Sequence, residues 1–421
     1  MEYDLIIHNG IILTVNPAFD ILTEGILCIR DGVIASINSG DSGTPRPSAR
    51  EIIDAEGGII MPGLVNTHTH LPMSLFRGLA DDLPLQEWLN EHIFPAESTR
   101  INPESVRYGT LLSCAEMLSS GTTTCCDGYF LEKEVAEAVM ETGIRAVLGQ
   151  GVIDFPAPGV PDPTKNIETA SEFIEAWLGR SDRITPSVFC HSPYTCSAKT
   201  LQKAKAIAAD KGLLFQIHAA ETRSEYDQML AEKGLSPVQY LNRLGILDER
   251  TLLVHAVWTD EADREIIAER KSKVSHNPES NMKLASGIAA VPEFLKAGIT
   301  VGLGTDGCAS NNNLDLFREM DTAAKLHKVN TLDPTVMDAR TVIRMATIEG
   351  ARCLGMDHLI GSLEVGKLAD IIIIDTAKPH LVPMYHPESQ VVYAVAGGDV
   401  GNVIVDGKVV IADGKSNTAN Y

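Results

Sequence analysis

Hydrophobic and polar positions divide the chain into three textures. Residues 1 to about 58 run in short apolar stretches, DLIIHNG and then ILCIRDGVIASI, where two such stretches flank Asp31-Gly32. Asp-Gly between apolar runs predicts a tight hairpin. The segment GDSGTPRPSAR, residues 40 to 50, is polar and rich in proline and glycine, and reads as a surface loop. The far end has the same texture, with ADIIIID at 369 to 375 reading as a buried strand and VIVDGKVVI at 403 to 411 as a second Asp-Gly hairpin. Two-stranded hairpins are marginal in water. Residues 1–58 and 361–421 are therefore expected to pair into one small β-sandwich domain, split in sequence by everything between; two separate β appendages are the alternative.

Between 59 and 360 apolar strand-length runs alternate with helical patterns. The predicted strands are residues 64–68, 122–127, 145–150, 184–191, 213–218, 252–255, 273–276 and 300–306. Helical stretches such as EVAEAVMET, IETASEFIEAWL, AKTLQKAKAIAAD and DEADREIIAER fill the gaps. Alternation of this kind implies a parallel sheet, and eight units over roughly 300 residues imply a (β/α)8 TIM barrel.

Composition narrows the function classes. A length of 421 residues suits a large barrel with an appended module. The net charge, 35 − 56 = −21, argues against a nucleic-acid or anionic-membrane surface and for small neutral or zwitterionic substrates. The eight cysteines contain no C-x-x-C pair, and the chain starts without a secretory pattern, so reduced thiols in a cytoplasmic protein are expected. No apolar run reaches the length of a membrane span.

The candidate chemistry gathers at the strand ends, where TIM barrels place it. The run IIMPGLVNTHTHL delivers His68 and His70 one residue apart, so both side chains share one face of a strand. The other strands end at Asp127, Gln150, His191, His218, His255, His276 and Asp306, so six of the 12 histidines collect at one rim. His68, His70, His218 and Asp306 offer three imidazoles and a carboxylate, a set suited to Zn²⁺ or Fe²⁺ with a water completing the site. The remaining histidines, 8, 92, 327, 358, 380 and 386, read as surface or satisfied core residues.

PGLVNTHTH, the His218-x-x-Glu221 pair in QIHAAET, His255, SHNPESN and GTDG at 304 to 307 together resemble the amidohydrolase superfamily over essentially the whole chain. Binuclear members carry a metal-bridging modified lysine at the end of strand 4. This chain has His191 there, which implies one divalent metal per subunit: Zn²⁺, with Fe²⁺ or Mn²⁺ as alternatives. Within the superfamily, HTHLPMSLFRGLADDLPLQEWL with Glu97 looks like the 5′-methylthioadenosine/S-adenosylhomocysteine deaminases.

Hydrolytic deamination of adenine needs a nucleophilic water at C6, a proton on N1 and a proton on the departing amine. A metal lowers the pKa of its water from about 15.7 towards 7. Glu221 is the expected proton shuttle, His255 the residue that polarises the water, and Asp306 both ligand and base. The resemblance implies that Glu97 accepts hydrogen bonds from the ribose hydroxyls, with Trp88 lining the pocket and His191 near base or sugar. His276 is expected to orient the water or a ligand. Members that hold the amino-acid tail of S-adenosylhomocysteine use arginines beside strand 3. Here Gln150 ends that strand and the loop GVIDFPAPGVPDPTKN has Lys165 as its sole cation, so methylthioadenosine, 5′-deoxyadenosine or adenosine should be handled better. The rivals are a deaminase or chlorohydrolase of a triazine, guanine or pterin, and a non-catalytic scaffold. A homo-oligomer is a superfamily-level expectation.

Overall fold

The computed structural model describes residues 2–39, 48–84 and 87–417. Positions 40–47 of the expected loop, and Leu85 and Gln86 ahead of Trp88, lie outside them. Eight parallel strands follow one another in chain order around a single sheet: β1 Leu64–Thr69, β2 Thr122–Tyr129, β3 Arg145–Val152, β4 Ile184–Cys190, β5 Phe215–Ala219, β6 Thr251–His255, β7 Lys273–His276 and β8 Val301–Leu303. The last strand lies against the first. Thr67 Oγ1 donates to the Leu303 carbonyl at 2.9 Å, and Asp306 N donates to the His68 carbonyl at 3.0 Å. That seam closes the barrel and sets Asp306 beside the β1 histidines.

All eight expected barrel strands are present. β8 is the one that departs most: it stops at Leu303 rather than running to 306, because the backbone turns and reaches φ 61° at Asp306. Gly304 is required inside this turn, since a Cβ there would lie 2.4 Å from Asn277 Oδ1.

Both termini build a second sheet of nine strands. Its order is Lys415–Ser416, Lys408–Ala412, Val400–Val405, Ile371–Ile374, Ile59–Pro62, Tyr3–Leu13, Ile21–Arg30, Val33–Ser39, with Ala49–Asp54 also paired to Tyr3–Leu13. Ile59–Pro62, the front half of the run that leads to His68, thus pairs with the terminal strands, and the chain enters the barrel at Leu64. Both Asp-Gly hairpins form, with positive φ at Asp31, Gly32, Asp406 and Gly407 as a two-residue primed turn requires. Their tips meet: a Cβ on Gly407 would lie 2.9 Å from Gly32 Cα. Four strand spacings of about 4.8 Å separate the two hairpins along the sheet. The sheet is therefore curled, and its halves face each other across Ile7, Leu27, Ile29, Ile60, Ile371 and Ile404 in the sandwich manner.

Arg145, at the start of β3 and buried, ties the barrel to this sheet. Its Nε donates to Asp370 Oδ2 at 3.0 Å, and its Nη2 pairs with Asp406. All eight cysteines are free and buried. Among the described residues no helix is long and apolar enough to cross a membrane.

Candidate metal centre and substrate cavity

His68 and His70 project inward from the end of β1, as the alternation of a strand requires. His68 Nε2 lies 3.1 Å from His218 Nε2 and 3.4 Å from Asp306 Oδ1, and His70 Nε2 lies 3.3 Å from the same oxygen. His255 joins from β6, so two sets share His68: His68, His218, His255 and His68, His70, Asp306, with ligand atoms of each set within 4.8 Å of one another. Asp306 Oδ2 accepts from Ser280 Oγ at 2.7 Å and Ser310 Oγ at 2.8 Å, and Oδ1 accepts from Gly307 N at 2.8 Å. Although burial opposes the charge, the hydrogen bond from His68 and the neighbouring His70 and His255 rings hold the carboxyl well below the usual range, which leaves it ionised.

Tautomers follow from the partners. A carbonyl only accepts, so the 2.6 Å contact of His70 Nδ1 with the Gly128 oxygen puts the proton on Nδ1 and turns the Nε2 lone pair to the centre. His255 Nδ1 lies 2.9 Å from Asn281 Oδ1 and 3.2 Å from Asn277 Nδ2, so the two amides hold the ring from behind. Burial lowers His68 to about 4 and His218 well below its ordinary value, so neither is an imidazolium, and the contact of His68 with Asp306 is not an ion pair. Neutral imidazoles whose Nε2 atoms converge on an ionised carboxylate form a donor set that fits a divalent cation, which would bind the Nε2 atoms of His68 and His218 in their Nδ1-protonated form.

Glu221 sits past the end of β5. Its Oε2 is 3.8 Å from His255 Nε2, its Oε1 accepts from Ser286 Oγ at 3.3 Å, and burial raises its pKa. The turn that presents it is held by Glu225, whose two oxygens accept from Ala220 N at 2.9 Å and Glu221 N at 2.8 Å. Ala220 (φ 55°), His255 (φ 74°) and Asp306 (φ 61°) all occupy the left-handed backbone region, sparsely used by such residues.

A cavity of about 500 Å3 opens onto the cluster, lined by His70, His191, His218, Glu221, His255 and Asp306 together with Trp88 and Glu97. Trp88 and Glu97 are nine residues apart, which on a regular α-helix sets them on opposite faces. The segment Trp88–Ile93 is instead a π-helix, with Phe94 N donating to the Leu89 carbonyl, continuing into the α-helix Phe94–Arg100. The extra residue in that wider turn, ahead of Pro95, brings both side chains to the cavity. The Tyr129 hydroxyl donates to Glu97 Oε1 at 2.5 Å, and burial raises Glu97 to about 7. His191 Nδ1 is engaged by Thr195 Oγ1 at 3.0 Å, which leaves its Nε2 edge for the cavity.

Two expected contacts are not brought to this cavity. Gln150 does not line it: β3 continues two residues further, and the Gln150 side chain accepts from Glu132 N at 3.2 Å. His276 is also absent from the lining, with Nε2 3.1 Å from His327 Nε2 on the helix Leu316–Thr331. It packs behind the centre.

Sequence reasoning passes over the groups that hold these side chains. Asp127 Oδ1 accepts from Thr69 Oγ1 and Leu71 N, both at 2.7 Å, and so fixes the chain on either side of His70. Its neighbour Glu132 is pushed well above the carboxylate range by burial and by the Asp127 charge, so it is the protonated, donating partner of that pair. Glu225 carries a usable signal, the Thr222-x-x-Glu225 spacing of a helix start. Tyr129 carries none.

The comparisons with known proteins agree with this geometry. The family description "Amidohydrolase family" matches residues 59–410. The chain is 48% identical over 417 residues to the 5-methylthioadenosine/S-adenosylhomocysteine deaminase of Syntrophobacter fumaroxidans, covering 99% of this chain and 95% of that one. It is 46% identical over 399 residues to the 5'-deoxyadenosine deaminase of Methanothermobacter thermautotrophicus, covering 94% and 91%. Among solved structures, an adenosine deaminase from Xanthomonas campestris with bound zinc superimposes with a TM-score of 0.97 at 36% identity, covering 100% of this chain and 95% of that one. With a family match that spans most of its length and relatives near half identity, this chain belongs to the amidohydrolase family.

Proposed function

We propose that the protein is a metal-dependent hydrolase that converts 5′-substituted adenosines to the corresponding inosines, breaking the C6–N6 bond, forming C6–O and releasing ammonia. The observation that carries this reading is one cavity of about 500 Å3 lined at once by a cation-type donor cluster, Glu221, Trp88 and Glu97, room enough for a nucleoside. One divalent ion per subunit, zinc ahead of iron or manganese, is assigned to His68, His70, His218 and Asp306. Such an ion supplies Lewis acidity, which makes a water nucleophilic at neutral pH.

The chain's own residues do the rest. Glu221 takes one proton from the water and delivers it to N1, then takes the second from the C6 hydroxyl as the carbonyl forms and delivers it to the leaving amine; its desolvated carboxyl suits both steps. His255, fixed through Nδ1, orients the attacking water with Nε2. Asp306 serves as ligand, and the base role passes to Glu221, because three donors stabilise the Asp306 carboxylate and weaken it as a base. Glu97 accepts from the ribose hydroxyls, and Trp88 and His191 wall the nucleoside.

The 5′ group meets an apolar lobe formed by Phe94, Ile153, Phe155, Pro156 and Pro158, with the Phe94 and Phe155 rings 5.9 Å apart. No lysine or arginine is among the described residues lining the cavity, and Lys165 is exposed and paired with Glu168 at 2.6 Å. A charged amino-acid tail is desolvated there without a partner. The expected result is a kcat/KM for methylthioadenosine and 5′-deoxyadenosine at least about tenfold above that for S-adenosylhomocysteine. Initial rates over this set and adenosine check it, and S-adenosylhomocysteine outrunning all three would overturn it.

A further inference from the structure

Glu97 lines the cavity beside Ile93, Phe94 and Ser98, and one group from the barrel reaches it. Tyr129, the last residue of β2 and 3% exposed, donates its hydroxyl to Glu97 Oε1 at 2.5 Å. The ring is held from behind: Tyr129 N donates to Glu132 Oε1 at 2.9 Å, and the ring packs against Phe130 and His70 at centroid distances of 5.4 and 6.1 Å. The phenol is therefore built into the barrel, whereas Glu97 arrives on the helix that follows the π-turn.

We propose that Tyr129 is a positioning and specificity-determining residue for the sugar: its hydroxyl occupies Oε1 of Glu97 and so presents the other oxygen, as an acceptor, to the vicinal ribose diol. This inference rests on the reading of Glu97 as the ribose acceptor and goes beyond it by assigning what makes that carboxylate competent. A buried carboxyl with no donor picks up a proton, and a protonated acid has one hydroxyl that donates and fewer sites for two sugar O–H groups. A donor held by the barrel works against the burial that raises Glu97, favouring its accepting form, and fixes the rotamer. The Tyr129 hydroxyl itself is held in the donating state, because burial and the Glu97 charge raise its pKa well above the ordinary phenol value.

The test compares adenosine with 2′,3′-dideoxyadenosine in the metal-loaded enzyme. Tyr129→Phe should raise KM for adenosine about tenfold with kcat at saturation changed less than about threefold, and should leave the dideoxy substrate nearly unaffected, so that the preference for ribose falls about tenfold. Because Tyr129 acts through Glu97, the Glu97→Gln/Tyr129→Phe double variant should discriminate no worse than Glu97→Gln alone. A Tyr129→Phe enzyme that keeps the parental preference overturns the proposal, as does one that loses kcat equally on both substrates, which is the signature of a packing role. The underlying reading fails separately: it falls if Glu97→Gln itself retains the preference for ribose, whereas loss in Glu97→Gln with retention in Tyr129→Phe defeats the Tyr129 assignment alone. Should Tyr129→Phe fail to fold, 3-fluorotyrosine at position 129 keeps the ring and strengthens the donor; the preference should then be retained, and its loss counts against the proposal.

Discussion

Replacing Glu221 with Gln is expected to lower kcat by about 10²- to 10⁴-fold, the range of one positioned general acid–base group, while metal content stays at the parental level. The amide keeps the size of the side chain and can keep the contact with Ser286 Oγ, so the loss isolates proton transfer. Two features of the site make this the largest single-residue effect outside the donor cluster. Burial raises the Glu221 carboxyl, which eases its cycling between proton acceptor and donor. Its backbone N–H is clamped by Glu225, so the carboxylate is aimed by structure and not by chance rotamers. Metal analysis alongside single-turnover rates checks the expectation. Near-parental turnover in the variant would remove Glu221 from the chemistry, whatever happened to His255→Gln and Asp306→Asn.

Chelation should have the other large effect. Stripping divalent ions is expected to reduce turnover at least about 10²-fold, with recovery on adding zinc. The same treatment should lower the unfolding temperature by roughly 5–10 °C, since a tightly held ion contributes to the folded state in proportion to the logarithm of its occupancy. The second readout follows from the geometry: the Nε2 atoms of His68 and His218 lie 3.1 Å apart beside an ionised Asp306, so a cation held there ties β1, β5 and the turn after β8 together. Full activity and unchanged thermal stability in metal-free protein would contradict the assignment of these four residues.

Much of the frame is legible in sequence because it is local. Strand-length apolar runs separated by helical patterns give eight barrel strands, and Asp-Gly between two such runs gives both hairpins, since each signal sits within a dozen residues. The histidines stand out because a barrel collects chemistry at strand ends, a rule that needs only the strand positions. The same rule misplaces Gln150. β3 runs on to Val152, so Gln150 lies a layer below the rim and bonds to Glu132. His276 does end its strand, but the helix Leu316–Thr331 covers it and takes its ring edge through His327. Both placements come from packing between segments far apart in sequence, and that of His276 leaves open the orienting role expected of it.

What the sequence hides is support at long range. The seam bond from Asp306 N to the His68 carbonyl spans the whole barrel, and the Tyr129 to Glu97 contact joins β2 to the loop helix. Neither leaves a periodic trace. The π-turn at Trp88–Ile93 is invisible to helical periodicity for a related reason: it breaks the 3.6-residue repeat on which such a prediction depends, and it is the break that brings Trp88 and Glu97 to one wall. The split of Ile59–Pro62 from Leu64–Thr69 depends likewise on partners at the C-terminal end, where Ile371–Ile374 pairs with the first piece.

The most direct test of a metal-dependent adenosine-type deaminase is a product analysis of zinc-loaded protein with 5′-methylthioadenosine in ¹⁸O-enriched water. The predicted result is the inosine derivative with one ¹⁸O at C6 and one ammonia per molecule converted, and no free adenine. An unchanged nucleoside, under conditions where the same preparation turns over a triazine or guanine, would contradict it, as would release of adenine by cleavage at the sugar.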